Sequence, residues 1–466
     1  MTPIKFGTDG WRAIIAKDFT VENVARVAEA TAKWVKGKNM SPSVVVGYDC
    51  RFGGEMFANT VALVMCNHNV KVKLGKGFVS TPMVSLGAYA LDADLGVIIT
   101  ASHNPPDYNG YKLKGGFGGP ASPATIGAVE ELIPEKALLP EGTISEFVKK
   151  GMIEYVDLET IYIDHVMKNF DLEAIRKSGL VLAYDAMYGA GQNVIKKILP
   201  EAILLHCDYN PSFKGIAPEP LDKNLQELSA LIRASSDVDA GLATDGDADR
   251  LAMYDEKGNY VDAHHLILLL VHYLHKYRQM TGKVVIAFSV SNKVKKLCEQ
   301  YGLPYQVTKI GFKYICEIMM KDDVLVGGEE SGGIAVKGHI PERDGIWDGL
   351  VLLELMAKTG KSVTDLIKEV YDVVGPFAYD RNDLHITEEL KAKIVAKCRE
   401  GRYQSFGKNP ITGMEDIDGY KFYFGEDETV MVRASGTEPV LRVYAEAPTK
   451  ERVQELLKAA RESLLE

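Results

Sequence analysis

No two of the six cysteines stand in a CxxC pair; Cys50, Cys66, Cys207, Cys298, Cys316 and Cys398 are scattered along the chain. That spacing argues against a disulfide framework, which a chain of this size does not need, and fits buried free thiols in a reducing compartment. Long apolar runs are missing too. The most apolar helix candidate, His265 to Leu274, is too short to span a bilayer. There is no basic excess: 54 Lys+Arg stand against 64 Asp+Glu, a net charge of -10, which argues against nucleic-acid binding through a broad basic face. An anionic substrate must therefore meet a local basic pocket. The N-terminus leads into Lys5-Phe6-Gly7-Thr8-Asp9-Gly10 with no apolar signal region. The expectation is a cytoplasmic protein without membrane or nucleic-acid partners.

What the chain does contain is ordinary globular material, 46% hydrophobic and 25% charged over 466 residues, too long for one core. Short β-branched runs alternate with amphipathic stretches, the pattern of parallel sheets with helical crossovers, so the class is α/β. Thr20 is placed to cap a helix through Val35, and strands are predicted at Val44 to Val46, Val70 to Leu74 and Leu95 to Ile99. A second unit holds Leu180 to Tyr184, Ile203 to Leu205 and Gly241 to Ala243, and a third holds Val284 to Phe288 and Val324 to Val326. After Pro376 the pattern changes to short strands at Tyr420 to Phe424, Val430 to Arg433 and Val440 to Ala445, then a charged helix from Thr449. The expected domains are 1–150, 151–260, 261–373 and 374–466, the last of α+β type.

Each domain carries one loop with chemistry in it. Thr100 to Lys112 reads TASHNPPDYNGYK, a serine just past a strand end, where open α/β sheets place ligands, with paired prolines and Asn109-Gly110 marking a loop. A lone serine there is more often a cap, but this one has company. Asp245-Gly246-Asp247-Ala248-Asp249-Arg250 sets three carboxylates at alternate positions, which in an extended loop converge on one hard cation, magnesium being the natural choice. A solvated acidic turn is the bland reading of such a run. Gly327-Gly328-Glu329-Glu330-Ser331-Gly332-Gly333 offers a carboxylate and a hydroxyl suited to vicinal sugar hydroxyls. Arg433-Ala434-Ser435-Gly436-Thr437-Glu438-Pro439 has the composition of a phosphate cradle.

In this order and spacing, the four loops resemble those of the α-D-phosphohexomutase superfamily, which includes phosphoglucomutase and phosphomannomutase, and the likeness covers essentially the whole chain. It implies a heart-shaped four-domain architecture, three related mixed α/β domains plus a C-terminal α+β domain. It also implies a phosphohexomutase that interconverts hexose 1-phosphate and hexose 6-phosphate through a phosphoserine at Ser102 and a hexose 1,6-bisphosphate, which also serves as activator. By the same resemblance His103 stands beside the phosphoserine, and Lys112 is the general acid/base. Asp245, Asp247, Asp249 and the phosphate on Ser102 hold Mg2+, with Arg250 near that phosphate. Glu329 and Ser331 contact sugar hydroxyls; Arg433, Ser435, Gly436 and Thr437 hold the phosphate that is not reacting. Arg12, in Gly7-Thr8-Asp9-Gly10-Trp11-Arg12, faces the site. The sequence departs from many bacterial members at Gly333, where they carry histidine, while His339 in Gly338-His339-Ile340-Pro341-Glu342-Arg343-Asp344-Gly345 resembles a stretch of some phosphoglucomutases and is a candidate catalytic residue. Glucose is the expected sugar and mannose the alternative; glucosamine ranks lower, because Glu329-Glu330-Ser331-Gly332-Gly333 does not resemble the Glu-Gln-Ser-Gly-His pattern of phosphoglucosamine mutases. A sugar-phosphate phosphatase and a non-catalytic sugar-phosphate sensor are the rival readings. The expected partner is a phosphorylated hexose, and the protein a monomer or homodimer.

Overall fold

In the computed structural model, which describes residues 4–7, 9–435 and 439–466, the helix predicted after Thr20 forms over Val21–Lys36. The Thr20 hydroxyl accepts from the Asn23 amide at 3.2 Å and closes its first turn. Its valines and alanines bury one face against a mixed sheet. In that sheet Ser43–Tyr48 runs parallel to Lys71–Gly75 and to Leu95–Ile99. The sheet is mixed, as the likeness implies: the chain reverses after Ser102 and returns as the strand Tyr108–Gly115, antiparallel to Leu95–Ile99 and to Trp11–Ile14. Asn109-Gly110, read as part of a loop, therefore lies inside a strand. A Cβ on Gly110 would sit 2.4 Å from the Thr100 carbonyl oxygen and 2.8 Å from that of Trp11, so glycine is needed here for strand approach. Lys112 is consequently a strand residue opposite Ile98 and is fully buried.

A second sheet orders Tyr260–Val261, Leu251–Tyr254, Ala240–Thr244, Leu182–Asp185 and Ile203–Leu205. Its central hairpin pairs Ala240–Thr244 with Leu251–Tyr254 and so carries residues 245–250 at the tip. A further hairpin, Val324–Gly328 with Ile334–Val336, carries residues 329–333 in the same way. These elements belong to one compact unit, formed by residues up to 282 and residues 311–366.

The second unit comprises 283–310 and 367–466. Lys283–Ala287 runs parallel to Tyr305–Thr308. Five antiparallel strands follow in the order Ala378–His385, Val440–Ala447, Thr429–Ala434, Tyr420–Tyr423, Gly413–Glu415. The helix Lys450–Leu465, capped by the Thr449 hydroxyl on the Arg452 amide at 3.2 Å, lays Val453, Leu456, Leu457 and Ala460 into the same core as Phe422 and Val430. Among the described residues no helix is long and apolar enough to cross a membrane.

Candidate active site

Ser102 follows the strand Leu95–Ile99 by three residues and holds φ 54°, the left-handed region, which lifts it out of the strand direction. The loop around it is wrapped on one buried cation. Arg51 donates to the carbonyls of Ser102 at 2.7 Å, Asn104 at 2.6 Å, Pro105 at 2.8 Å and Tyr108 at 2.9 Å. Charge-assisted bonds of this kind are about twice as strong as neutral ones, so the serine is held by a spoke of contacts rather than by its own turn. Asp49 completes the support, accepting from the Thr100 hydroxyl at 2.5 Å and lying 3.5 Å from the Arg51 Nε.

Burial pushes the Asp49 carboxyl up to about 6, with Arg51 pulling the other way. A folded value above the ordinary carboxylate range means that the native state holds this proton more firmly than the unfolded chain. The stability it contributes is present below about pH 4 and is lost as pH rises through about 6. Asp49→Asn is expected to flatten that part of the stability profile; urea unfolding of both proteins between those pH values checks it, and parallel profiles would refute the assignment.

The Ser102 hydroxyl donates to Asp245 Oδ2 at 2.7 Å and lies 3.2 Å from His103 Nδ1. Burial, with Arg250 and Arg12 nearby, holds His103 well below the usual imidazole range, so it is neutral. The aspartate loop is a tight turn, not the extended segment expected from alternation. Ala248 has φ 56°, and the amides of Asp249 and Arg250 donate to Asp245 Oδ1 at 3.0 and 3.2 Å. The turn nevertheless brings one oxygen of each of Asp245, Asp247 and Asp249 within 4.8 Å of the others, all three side chains buried. Lys112 Nζ lies 2.8 Å from Asp247 Oδ2, 3.3 Å from Asp249 Oδ2 and 2.8 Å from Asp9 Oδ2, and the Thr81 hydroxyl donates to Asp247 Oδ2 at 2.6 Å. Burial and the adjacent Asp247 and Asp249 push Asp245 well up, whereas Lys112 holds Asp247 below its usual range against the effect of burial. On Lys112 burial disfavours the charge, but the surrounding carboxylates outweigh it and keep the ammonium. Asp247 Oδ1 and Asp249 Oδ1 are buried with no hydrogen-bond partner among the described residues. Orphaned hard oxygens beside a third carboxylate fit a small oxygen-seeking divalent cation such as magnesium.

Sequence reading missed the other half of this cluster. Arg343 donates to Asp249 Oδ2 at 2.6 Å and to Asp9, and lies 3.7 Å from Glu329 Oε2. Asp9 thereby bridges Lys112 and Arg343, and although burial raises its carboxyl, Lys112, Lys114 and Arg343 together hold it low. Beside them Lys114 pairs with Glu342 at 2.8 Å. Both Asp9 and Arg343 stand inside segments singled out in the sequence, but nothing local marks them as partners. Glu329 is buried, which pushes its carboxyl up to about 7 against the pull of Arg343. Ser331 sits half-buried on the same hairpin tip. Arg12 donates to Asn104 Oδ1 at 2.7 Å, within the serine loop, and Arg250 faces Glu219 at 3.5 Å.

Family models for phosphoglucomutase/phosphomannomutase match the chain in order: alpha/beta/alpha domain I over 3–139, domain II over 160–258, domain III over 262–374 and the C-terminal domain over 383–463. A phosphoglucomutase/phosphomannomutase of Thermococcus kodakarensis is 30% identical over 97% of this chain and 96% of its own. The chain belongs to the phosphoglucomutase/phosphomannomutase family. It is thus a four-domain phosphohexomutase, an enzyme of the phosphoryl-transferring mutase type. A phosphoglucosamine mutase of Limosilactobacillus fermentum is also 30% identical, over 96% of this chain and 95% of its own. A solved structure from Thermus thermophilus, provisionally described as a phosphomannomutase, superposes with TM-score 0.87 at 34% identity over the full length of both chains. Parafusin of Paramecium, at 19% identity and TM-score 0.83 over 99% of this chain and 94% of its own, shares the fold.

Not every residue suggested by the resemblance to this mutase family joins the cluster. His339 is packed away, its side chain 1% exposed, with Nε2 3.0 Å from Asp344 Oδ2, Nδ1 3.2 Å from His165 Nε2, and its ring stacked on Trp347 at 3.9 Å. None of its contacts is with Ser102, Lys112 or the aspartates. In the second unit Arg433 lies 3.4 Å from Asp418, and the buried Ser435 donates its amide to the Val440 carbonyl at 2.9 Å. Gly436 and Thr437 lie outside the described residues.

The serine and aspartate loops of the mutase also meet at a glycine. A Cβ on Gly246 would sit 2.5 Å from the Ser102 carbonyl oxygen and 3.0 Å from Pro218 Cγ. Gly246→Ala must force the two loops apart, costing about 1–3 kcal/mol of stability and, by misplacing the reacting groups, about 10²-fold in kcat. Mutase assay and thermal unfolding of the variant test this; a kcat and a melting temperature equal to wild type would refute the loop contact.

Proposed function

We propose that the enzyme interconverts hexose 1-phosphate and hexose 6-phosphate through a phosphoserine at Ser102, with glucose as the main sugar and mannose as the second. The observation that carries this is the Ser102 hydroxyl, 2.7 Å from Asp245, in a buried cluster where Lys112 is fixed by Asp247 and Asp249. The segments 1–150, 151–260, 261–373 and 374–466 each supply one loop to the reaction in this reading. Asp245, Asp247 and Asp249, with the phosphate on Ser102, would hold Mg2+, which when bound supplies charge neutralisation for the phosphoryl oxygens.

The remaining work falls to side chains. As the sugar hydroxyl gives its proton to a base, for which the neutral His103 beside Ser102 is the candidate, its oxygen bonds phosphorus, the bond from phosphorus to the serine oxygen breaks, and the Lys112 ammonium gives its proton to that serine oxygen. In the reverse direction the same amine takes it back. The neutral His103, 3.2 Å from the serine oxygen, is placed to accept a proton there. The resulting hexose 1,6-bisphosphate then presents its other phosphate to the free serine. Glu329 and Ser331 grip the sugar hydroxyls; Arg12 and Arg250 neutralise phosphate charge; Arg433, Ser435, Gly436 and Thr437 hold the phosphate that is not reacting. The Glu329-Glu330-Ser331-Gly332-Gly333 loop supports glucose or mannose, since phosphoglucosamine mutases resemble Glu-Gln-Ser-Gly-His there. That several relatives are named phosphoglucosamine mutases makes the amino sugar the competing substrate to test.

The test is a coupled assay with magnesium and a trace of glucose 1,6-bisphosphate on glucose 1-phosphate, mannose 1-phosphate and glucosamine 1-phosphate. The highest kcat/KM is expected for glucose 1-phosphate. A higher value for glucosamine 1-phosphate would overturn the sugar assignment. Release of inorganic phosphate without isomer formation would mark a phosphatase, and binding without turnover a sensor.

A further inference from the structure

Beside the aspartate hairpin, in the first unit, lies a cavity of about 370 Å³ none of whose lining residues has a part in the chemistry above. Met187, Tyr188, Phe213 and Pro218 make a buried floor, and Lys214 and Lys223 stand exposed at the rim. Asp185, itself buried, lines one side. It accepts from the Met187 amide at 2.7 Å and lies 3.0 Å from His206 Nδ1 through both oxygens. That pairing puts the proton on Nδ1 and leaves Nε2 toward Glu227, at 3.2 Å, a side chain 72% exposed. Neither Lys214 nor Lys223 has an ion-pair partner among the described residues; Lys214 lies over the Tyr188 ring at 5.3 Å.

The backbone of this wall is strained. Met187, Tyr188, His206, Phe213 and Lys214 hold φ of 47°, 59°, 48°, 46° and 49°, left-handed values that are costly for side chains with a Cβ. A loop that had only to turn would use glycine, as it does at the adjacent Gly215 with φ 78°. Here large side chains are kept in those positions and line a concave space. Two lining residues also touch the catalytic loops. The Pro218 carbonyl accepts from the Gly246 amide of the metal loop at 3.3 Å, and the Phe213 ring lies 5.1 Å from Arg51, the cation on which the Ser102 loop is wrapped.

We propose that this cavity binds a small phosphate monoester with a planar body, a nucleoside 5′-monophosphate in chemical class, and that its occupancy adjusts the serine and metal loops through Phe213 and Pro218. The apolar floor takes the base, the His206–Asp185 pair and Asn224 meet its polar edge, and Lys214 and Lys223 take the phosphate. The space is larger than an inorganic ion fills. A hexose phosphate would set its hydroxyls against Met187, Phe213 and Ile216 without hydrogen-bond partners for them.

The experiment titrates 5′-AMP into the full-length protein by calorimetry, with inorganic phosphate and glucose 6-phosphate as comparators, and measures mutase rates with and without AMP. Because calorimetry needs no turnover, failure here is separable from failure of the mutase reading. AMP is expected to bind more tightly than either comparator, to keep binding Ser102→Ala, and to change kcat/KM by about five-fold or more. Lys214→Glu with Lys223→Glu should weaken AMP binding about ten-fold or more while leaving the AMP-free rate unchanged. Ile216→Trp, which fills the cavity, should abolish binding by a route independent of charge. No binding at millimolar AMP, equal binding by the charge-reversed protein, displacement of AMP by glucose 6-phosphate, or phosphate binding as tightly as AMP would each overturn the site. AMP binding without any change in rate would overturn the coupling.

Discussion

Ser102→Ala is expected to lower kcat by on the order of 10⁴- to 10⁶-fold, the range seen when a nucleophile is removed from a covalent mechanism. The size follows from the slowness of phosphate-monoester chemistry without a positioned acceptor. Structure should survive the change. Among the described residues the hydroxyl's hydrogen-bond partners are Asp245 and His103, so its loss costs about one hydrogen bond, roughly 1 kcal/mol. Alanine is also no more strained than serine at φ 54°. Arg51 continues to hold the loop through backbone carbonyls, which the substitution does not touch. The measurement is mutase rate together with mass spectrometry for phosphoserine. A variant that keeps more than about a tenth of wild-type kcat would remove the phosphoserine from the mechanism.

Arg343→Met is expected to be the most destabilising single change at the site, by about 3–5 kcal/mol, because it removes one partner from a buried charge cluster and leaves the others uncompensated. Asp9, Asp249 and Glu329 all lie against this guanidinium. Lys112 is then the one cation left against Asp247 and Asp249 among the described ion pairs, and with Lys114 it also faces Asp9, all three carboxylates lying in a buried, weakly screened setting. Arg343→Lys should recover part of the loss, since a point charge replaces the fork that spans separate carboxylates. Urea unfolding followed by fluorescence reads the effect. A midpoint for Arg343→Met equal to that of wild type would show that the cluster is not held by this cation.

Contiguous motifs were legible because their chemistry is local. The serine, the aspartates and the sugar loop each fall at the tip of a strand connection, and the strands that present them, Leu95–Ile99, Ala240–Thr244 and Val324–Gly328, are short apolar runs readable by composition. The errors were of conformation. Alternate aspartates suggested an extended segment, but the Asp245 carboxylate collects two amides of its own loop and curls it. Asn109-Gly110 suggested a loop, yet Gly110 is demanded by close backbone approach within a strand. His339 carried a family likeness, while its surroundings, Asp344, His165 and Trp347, come from separate helices and a loop that no local pattern relates.

By itself the sequence determined the family, the order of the four loops and the residue types proposed to hold phosphate and metal, since these depend on side chains within a few positions of one another. Tertiary structure decided which charges neutralise which. Asp9, Lys112, Asp249 and Arg343 come from an N-terminal bridge, a strand, a hairpin tip and a helix approach, and become one buried cluster only when the sheets that carry them are folded. Burial removes the water that would otherwise screen each charge, so the partner that topology happens to supply sets its protonation and its position.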